Sequence, residues 1–262
     1  MAQHVALRRT VTIAPTLETM AELYMLSRDG GPKSERFTAY VKRVEHEWGL
    51  VSYNPMAGAA ALEAVQQAIA VDAERIAREA ASDTIAECEY TGSVTLAVVV
   101  ASAGMWTDRL ATEVEYRTTA KRRADHGQVM LWSREAITAQ DVRRESVAET
   151  VRTMWTALHG QARTLRSVLA REGLAYALAD PKTIVQPEKD AAIGDALDIL
   201  GDSTAQGDIV AALYGDAVAD QMGWPTLGIS DRGGAQWAAH RAARTIAEIG
   251  AAAALSAGEA KV

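Results

Sequence analysis

Hydrophobic positions along the chain change their period several times, and each change marks an element. Val5, Leu7, Val11 and Ile13 fall on one side of an alternating pattern over residues 5–13, which predicts a half-buried strand. After Pro15 the spacing lengthens to Leu17, Met20 and Tyr24, a helical stripe closed by the turn signal Asp29-Gly30-Gly31-Pro32. Ser34 can cap a second helix with Phe37, Val41, Val44 and Trp48 on its buried face, and Gly49 ends it. Val51-Ser52-Tyr53-Asn54-Pro55 reads as an ordered loop, because the residue before proline is pushed toward extended geometry. An alanine-rich helix is expected over residues 57–82, with Leu62, Val65, Ile69 and Ile76 inward and an exit at Asp83.

Two strands are then expected, over residues 84–90 and 94–101, joined by Thr91-Gly92-Ser93 as a hairpin. The unbroken apolar run from Val94 to Val100 predicts a central strand covered on both faces. Residues 107–124 fit alternation in part. A Thr107 cap, Leu110, Val114 and the closing Lys121-Arg122-Arg123 favour a helix. A further strand follows at 128–133, carrying Val129, Leu131 and Trp132.

This order predicts an α+β fold: an N-terminal mixed sheet of ferredoxin-like ββαβ type with a long helical crossover, followed by an all-α C-terminal bundle. Such a topology carries no function by itself. Thr138 and Asp141 resemble a capping box at the start of a long helix, in which Val147, Val151, Met154, Leu158, Ala162, Leu165 and Leu169 form one seam. Gly160 weakens the middle of that helix by about 1 kcal/mol relative to alanine. Pro181 to Pro187 break the pattern, and helices near 188–200, 206–222 and 232–256 complete the chain. The expected division is an α+β domain over 1–136 and a helical domain over 137–262. If the long helix packs on the sheet, the two form one continuous domain.

Composition narrows the class. With 262 residues, 48% hydrophobic and 23% charged, the chain lies in the globular range. Cys88 stands alone, which excludes an intramolecular disulfide and a multi-thiolate zinc site and points to a reducing, cytoplasmic setting. No signal-peptide pattern follows Met1, and the longest apolar stretches, 96–101 and 251–255, fall far short of the roughly 20 residues a bilayer crossing needs. A soluble protein with no membrane partner is expected. Six Trp and seven Tyr against one Phe fit either codon bias or a binding surface rich in rings with polar edges.

Charge is unevenly spread. The formal net charge is −7, yet residues 117–171 carry eleven basic against five acidic side chains, and residues 180–220 carry two against nine. Such polarity can steer association between subunits, or it can be neutralised within one molecule. The basic segment also admits nucleic acid as a partner, through Arg122, Arg123, Arg143 and Arg144, against the acidic overall balance.

No P-loop, GxGxxG after a strand, GxSxG elbow, HExxH or paired CxxC is present, so several nucleotide-binding and hydrolase classes lose their usual support. Glu45-His46-Glu47 reads as a surface cluster, since neighbours on a helix point about 100° apart. Asp125-His126 can form an acid–base pair before a strand or an ordinary polar turn. Asp216 and Asp220 share a helix face that suits a divalent cation only if His240 or another donor converges, so no metal site is assigned. The loops 53–58 and 104–109 mix polar handles with large side chains. Any pocket there would use Tyr53, Trp106, Asp108 and Arg109, whose guanidinium suits a carboxylate or phosphate.

These features favour a non-catalytic interaction or assembly subunit of a homo- or hetero-oligomer, with self or other protein subunits as partners. The alternatives are a small-molecule enzyme with its pocket near the 53–58 and 104–109 loops, and a nucleic-acid-associated subunit using residues 117–171. The sequence identifies no cofactor.

Overall fold

The computed structural model describes residues 9–28, 35, 38, 59–101, 113–114, 116–117, 126–133, 135–181 and 191–261. Its strands are β1 (Thr10–Ala14), β2 (Ser93–Ala101) and β3 (His126–Trp132), hydrogen-bonded in the order β1-β2-β3. Both pairings are parallel, with Val11 opposite Val94 and Val98 opposite Val129. β2 occupies the centre, as its apolar run predicts, and Val94 and Leu96 to Ala101 are buried.

Parallel neighbours require a crossover, and between β1 and β2 it is helical where described. α1 (Leu17–Arg28) buries Leu17, Met20 and Tyr24, the stripe read from the sequence. α2 (Ala59–Ala70) packs on α1, and α3 (Ala73–Glu87) packs on β1 and β2. The expected single helix over 57–82 is broken at Asp72, whose φ of 58° is left-handed, and Ile69 emerges exposed instead of inward.

The expected hairpin over 84–101 does not form. α3 runs on to Glu87 because Ile76, Ala77, Ala80, Ala81, Thr84 and Ile85 recur at helical spacing and are all buried. Every described strand pair is parallel, so the antiparallel neighbour that a ferredoxin-like ββαβ sheet needs is not among the described strands. The chain is helix-rich, with a small parallel sheet. Glu113, Val114, Tyr116 and Arg117 are helical, in keeping with the helical reading of 107–124.

Helix α4 (Ala139–His159) starts as its capping pattern predicts: the Thr138 hydroxyl accepts from the Asp141 N–H at 3.2 Å and donates to its carboxylate at 2.5 Å. Gly160 does more than weaken the expected long helix. With φ at +82° it ends the helix, and Thr164 opens α5 (Leu165–Ala179) through a capping box with Ser167. After α6 (Ala191–Leu200), Gly215 separates α7 (Gln206–Tyr214) from α8 (Asp216–Gln221). Gly250 likewise separates α9 (Gly233–Ile249) from α10 (Ala251–Ala257), which leads into a 3-10 turn at Gly258–Lys261.

The chain divides into two compact units. The first comprises residues 1–117 and 121–153, and the second residues 118–120 and 154–262. In the second unit α5 and α9 form the main helix pair, with α6 and α7 packed on both. The pair is close because glycine permits it: a Cβ at Gly173 would lie 2.5 Å from the Ala238 carbonyl oxygen. Among the described residues, no helix is long and apolar enough to cross a membrane.

Candidate functional site

Open parallel sheets usually receive ligands beyond the carboxyl ends of their strands, with anions on the N-terminus of the helix that follows. In the first unit that seat, after β1, is filled by the protein itself. The Glu74 carboxylate, from the first turn of α3, accepts the Thr16 N–H at 2.9 Å and the Leu17 N–H at 3.0 Å. The Thr16 hydroxyl donates to the Val98 carbonyl of β2. A ligand phosphate has no claim on donors already held by a carboxylate, so the seat has a structural role. Glu74→Ala is expected to cost about 2 kcal/mol, because two charge-assisted bonds at a helix N-terminus are lost. Glu74→Gln, which keeps an acceptor oxygen, should cost less. Urea denaturation of the two variants checks the order, and a Glu74→Ala midpoint equal to that of wild type would refute it.

A second polar cluster lies at the start of β3. Glu149 of α4 accepts from the Tyr116 hydroxyl at 2.8 Å and from the Gln128 N–H at 3.0 Å, and Arg152 stands 3.4 Å from its other oxygen. Arg117 pairs with Glu113 at 2.5 Å and reaches Glu145 at 3.7 Å. Gly127 lets α4 approach: a Cβ there would meet Thr153 Oγ1 at 2.6 Å and Glu149 Oε1 at 2.7 Å. Glu113 with Arg117 and Glu149 with Arg152 are buried ion pairs, and Glu149, through the Gln128 N–H, fastens α4 to β3.

Burial, helped by the charge of Glu87, pushes the Cys88 thiol up to about 12, which keeps it protonated and inert. Among the described residues no group of three His, Cys, Asp or Glu side chains converges on a metal position.

The second unit holds a cleft of about 140 Å³ lined by Arg166, Leu169, Gly194, Leu197, Gly201, Trp237 and Arg241. Three helices build it. Arg166 and Leu169 come from α5, Gly194 and Leu197 from α6 with Gly201 just beyond it, and Trp237 and Arg241 from one face of α9. A Cβ on Gly201 would clash with the Arg166 guanidinium, and the Arg166 backbone N–H donates to the Gly201 carbonyl at 2.9 Å. Arg241 is held over the Trp237 ring with its guanidinium carbon 4.9 Å from the ring centre. At Gly194 a Cβ would meet nothing within 4 Å, so the wall is open there. Neither arginine is ion-paired to a carboxylate among the described residues. Two planar cations thus line one cleft together with buried Leu169 and Leu197, and a guanidinium presents paired N–H donors that match carboxylate or phosphate oxygens.

The residues singled out from the sequence fare differently. Tyr53, Trp106, Asp108 and Arg109, with Arg122, Arg123, the Glu45-His46-Glu47 run and Asp125, lie outside the described residues. Arg143 pairs with Asp83 at 2.8 Å, and Arg144 with Asp141 at 3.1 Å and Glu145 at 3.6 Å. Both Asp216 oxygens accept backbone N–H groups, from Leu227 and Gly228, each at 2.8 Å. The Trp237–Arg241 spacing of four was a legible signal for the cleft, since it puts an aromatic ring and a guanidinium on one helix face. Arg166 and the glycines carried none, because their meeting depends on how three helices pack. Comparison of the chain with protein-family models, with characterised proteins and with solved structures gives no match.

Proposed function

We propose that this chain is a small-ligand-binding protein whose helical unit holds a compact anion between Arg166 and Arg241. The observation that carries the reading is the pair of guanidinium groups sharing one cleft with no carboxylate partner among the described residues. Several other described arginines are neutralised in place, as Arg117, Arg143, Arg144, Arg152 and Arg171 are. That internal pairing weakens the support for a nucleic-acid surface on Arg143 and Arg144. Support for an assembly subunit also thins, because the helical seam on which it rested is interrupted at Gly160 and Leu158 stands half exposed.

Sulfate is the simplest probe. At constant ionic strength, made up with chloride, sulfate is expected to bind saturably and to raise the unfolding temperature of the wild-type chain, since a ligand that binds only the folded state stabilises it. Arg166→Gln and Arg241→Gln should each weaken binding about tenfold or more, the loss of one charge-assisted fork. An unchanged sulfate affinity in the double variant, with native circular dichroism, would remove the cleft from consideration.

A further inference from the structure

We infer that the anion is the dianionic head of a phosphate monoester with a short organic group, an inference that rests on the anion-binding reading of the cleft. The number of forks comes first. Each guanidinium presents parallel N–H donors that match two oxygens, and two such groups line one space. A monocarboxylate has two oxygens and one charge, enough for one fork. A phosphate monoester carries three terminal oxygens and a charge near −2 at neutral pH, enough for both.

Size narrows the class further. The cleft of about 140 Å³ is well below the roughly 300–1,000 Å³ of pockets that enclose a drug-sized ligand, so it encloses a small head group and not a whole nucleotide. Its lining includes the buried side chains of Leu169 and Leu197, and its wall is open beside Gly194. Free inorganic phosphate makes no use of those two leucines, whereas a short carbon group does. A phosphodiester, as in nucleic acid or phospholipid, has one charge and two substituents, and neither matches two cations in a small cleft.

None of the five lining residues other than Arg166 and Arg241 carries a titratable side chain. Asp195 and Asp198 on α6, Asp202 after it and His240 on α9 are the nearest titratable groups in sequence. Sulfate, dianionic at every pH used, reports any contribution they make. The protonation of the ligand itself is then the remaining variable.

The experiment measures the affinity of the full chain for methyl phosphate, inorganic phosphate, dimethyl phosphate, succinate and sulfate by calorimetry at constant ionic strength. Methyl phosphate is expected to bind most tightly. Its affinity should fall about tenfold between about pH 7.5 and about pH 5, as its second ionisation near 6 is reversed, while that of sulfate stays level. Dimethyl phosphate should bind at least tenfold more weakly than methyl phosphate. Gly194→Leu keeps both arginines, replaces glycine with a better helix former and fills the open wall, so it should abolish binding without unfolding the chain.

Equal affinity for the monoester and the diester, or a pH response shared by sulfate, overturns the dianion assignment and leaves an anion site standing. Tighter binding of succinate replaces the monoester with a dicarboxylate. Inorganic phosphate binding as tightly as methyl phosphate removes the organic group from the assignment. If no probe binds, sulfate included, the anion reading fails with it.

Discussion

Replacing Glu149 with leucine is expected to lower the stability of the first unit by about 3–5 kcal/mol, the usual cost of removing one partner from a buried charge network. Glu149 is 1% exposed, and its carboxylate receives the Tyr116 hydroxyl, the Gln128 N–H and the Arg152 guanidinium. Leucine offers none of these an acceptor. It also leaves the guanidinium of Arg152, itself 2% exposed, beside a hydrocarbon chain. Glu149→Gln should fall between, because the amide oxygen can still accept while the charge is gone. The informative partner is the double variant Glu149→Leu with Arg152→Met, in which both charges leave together. Such replacements are often neutral or stabilising, so much of the lost stability should return. Urea denaturation gives the result. A double variant no more stable than Glu149→Leu would mean that Arg152 is held by contacts independent of Glu149.

The second large effect concerns a helix crossing with no room for a methyl group. A Cβ on Gly173 would lie 2.5 Å from the Ala238 carbonyl oxygen and 2.7 Å from its carbonyl carbon. Gly234 faces the Ala212 backbone even more tightly. Backbone cannot turn aside as a flexible side chain can, so α5 and α9 must separate along much of their shared face. Gly173→Val is expected to cost about 3 kcal/mol or more through overpacking, even though glycine is itself a poor residue for a helix interior. Gly194→Ala provides the opposite sign in the same unit, with nothing within 4 Å of the new carbon and a gain of about 0.5–1 kcal/mol from helix propensity. Thermal midpoints of the two variants test the contrast. Similar midpoints for both would mean that the helices can slide enough to absorb the side chain.

Where the sequence was easy to read, large apolar side chains did the marking. Leu17, Met20 and Tyr24 defined α1, and the run ending at Val100 defined a central strand. Reading failed where alanine formed the buried face. Ala77, Ala80 and Ala81 carry α3 toward Glu87, and their weak hydrophobic signal let the alternation after Asp83 pass for a hairpin strand. Glycine misled in another way. Gly160, Gly215 and Gly250 were expected inside helices, yet each has a positive φ and stands where one helix ends. The direction of strand pairing was also beyond reach, because it is set by a crossover of many residues and by no short motif. The candidate cleft suffered the same limit: its Trp and Arg could be paired on α9, but Arg166 lies far off in sequence and meets them only through packing.

The sheet described above also bears on how the chain assembles. β1 pairs only with β2 among the described strands, and residues 15–92 lie between them. Closing so long a loop costs conformational entropy before any hydrogen bond of that pair is gained. The bonds from Glu74 to Thr16 and Leu17 join α3 to α1 inside that loop and bring β1 to the edge that β2 presents. A carboxylate that blocks a ligand seat in the finished structure is, during folding, a clasp that shortens the search.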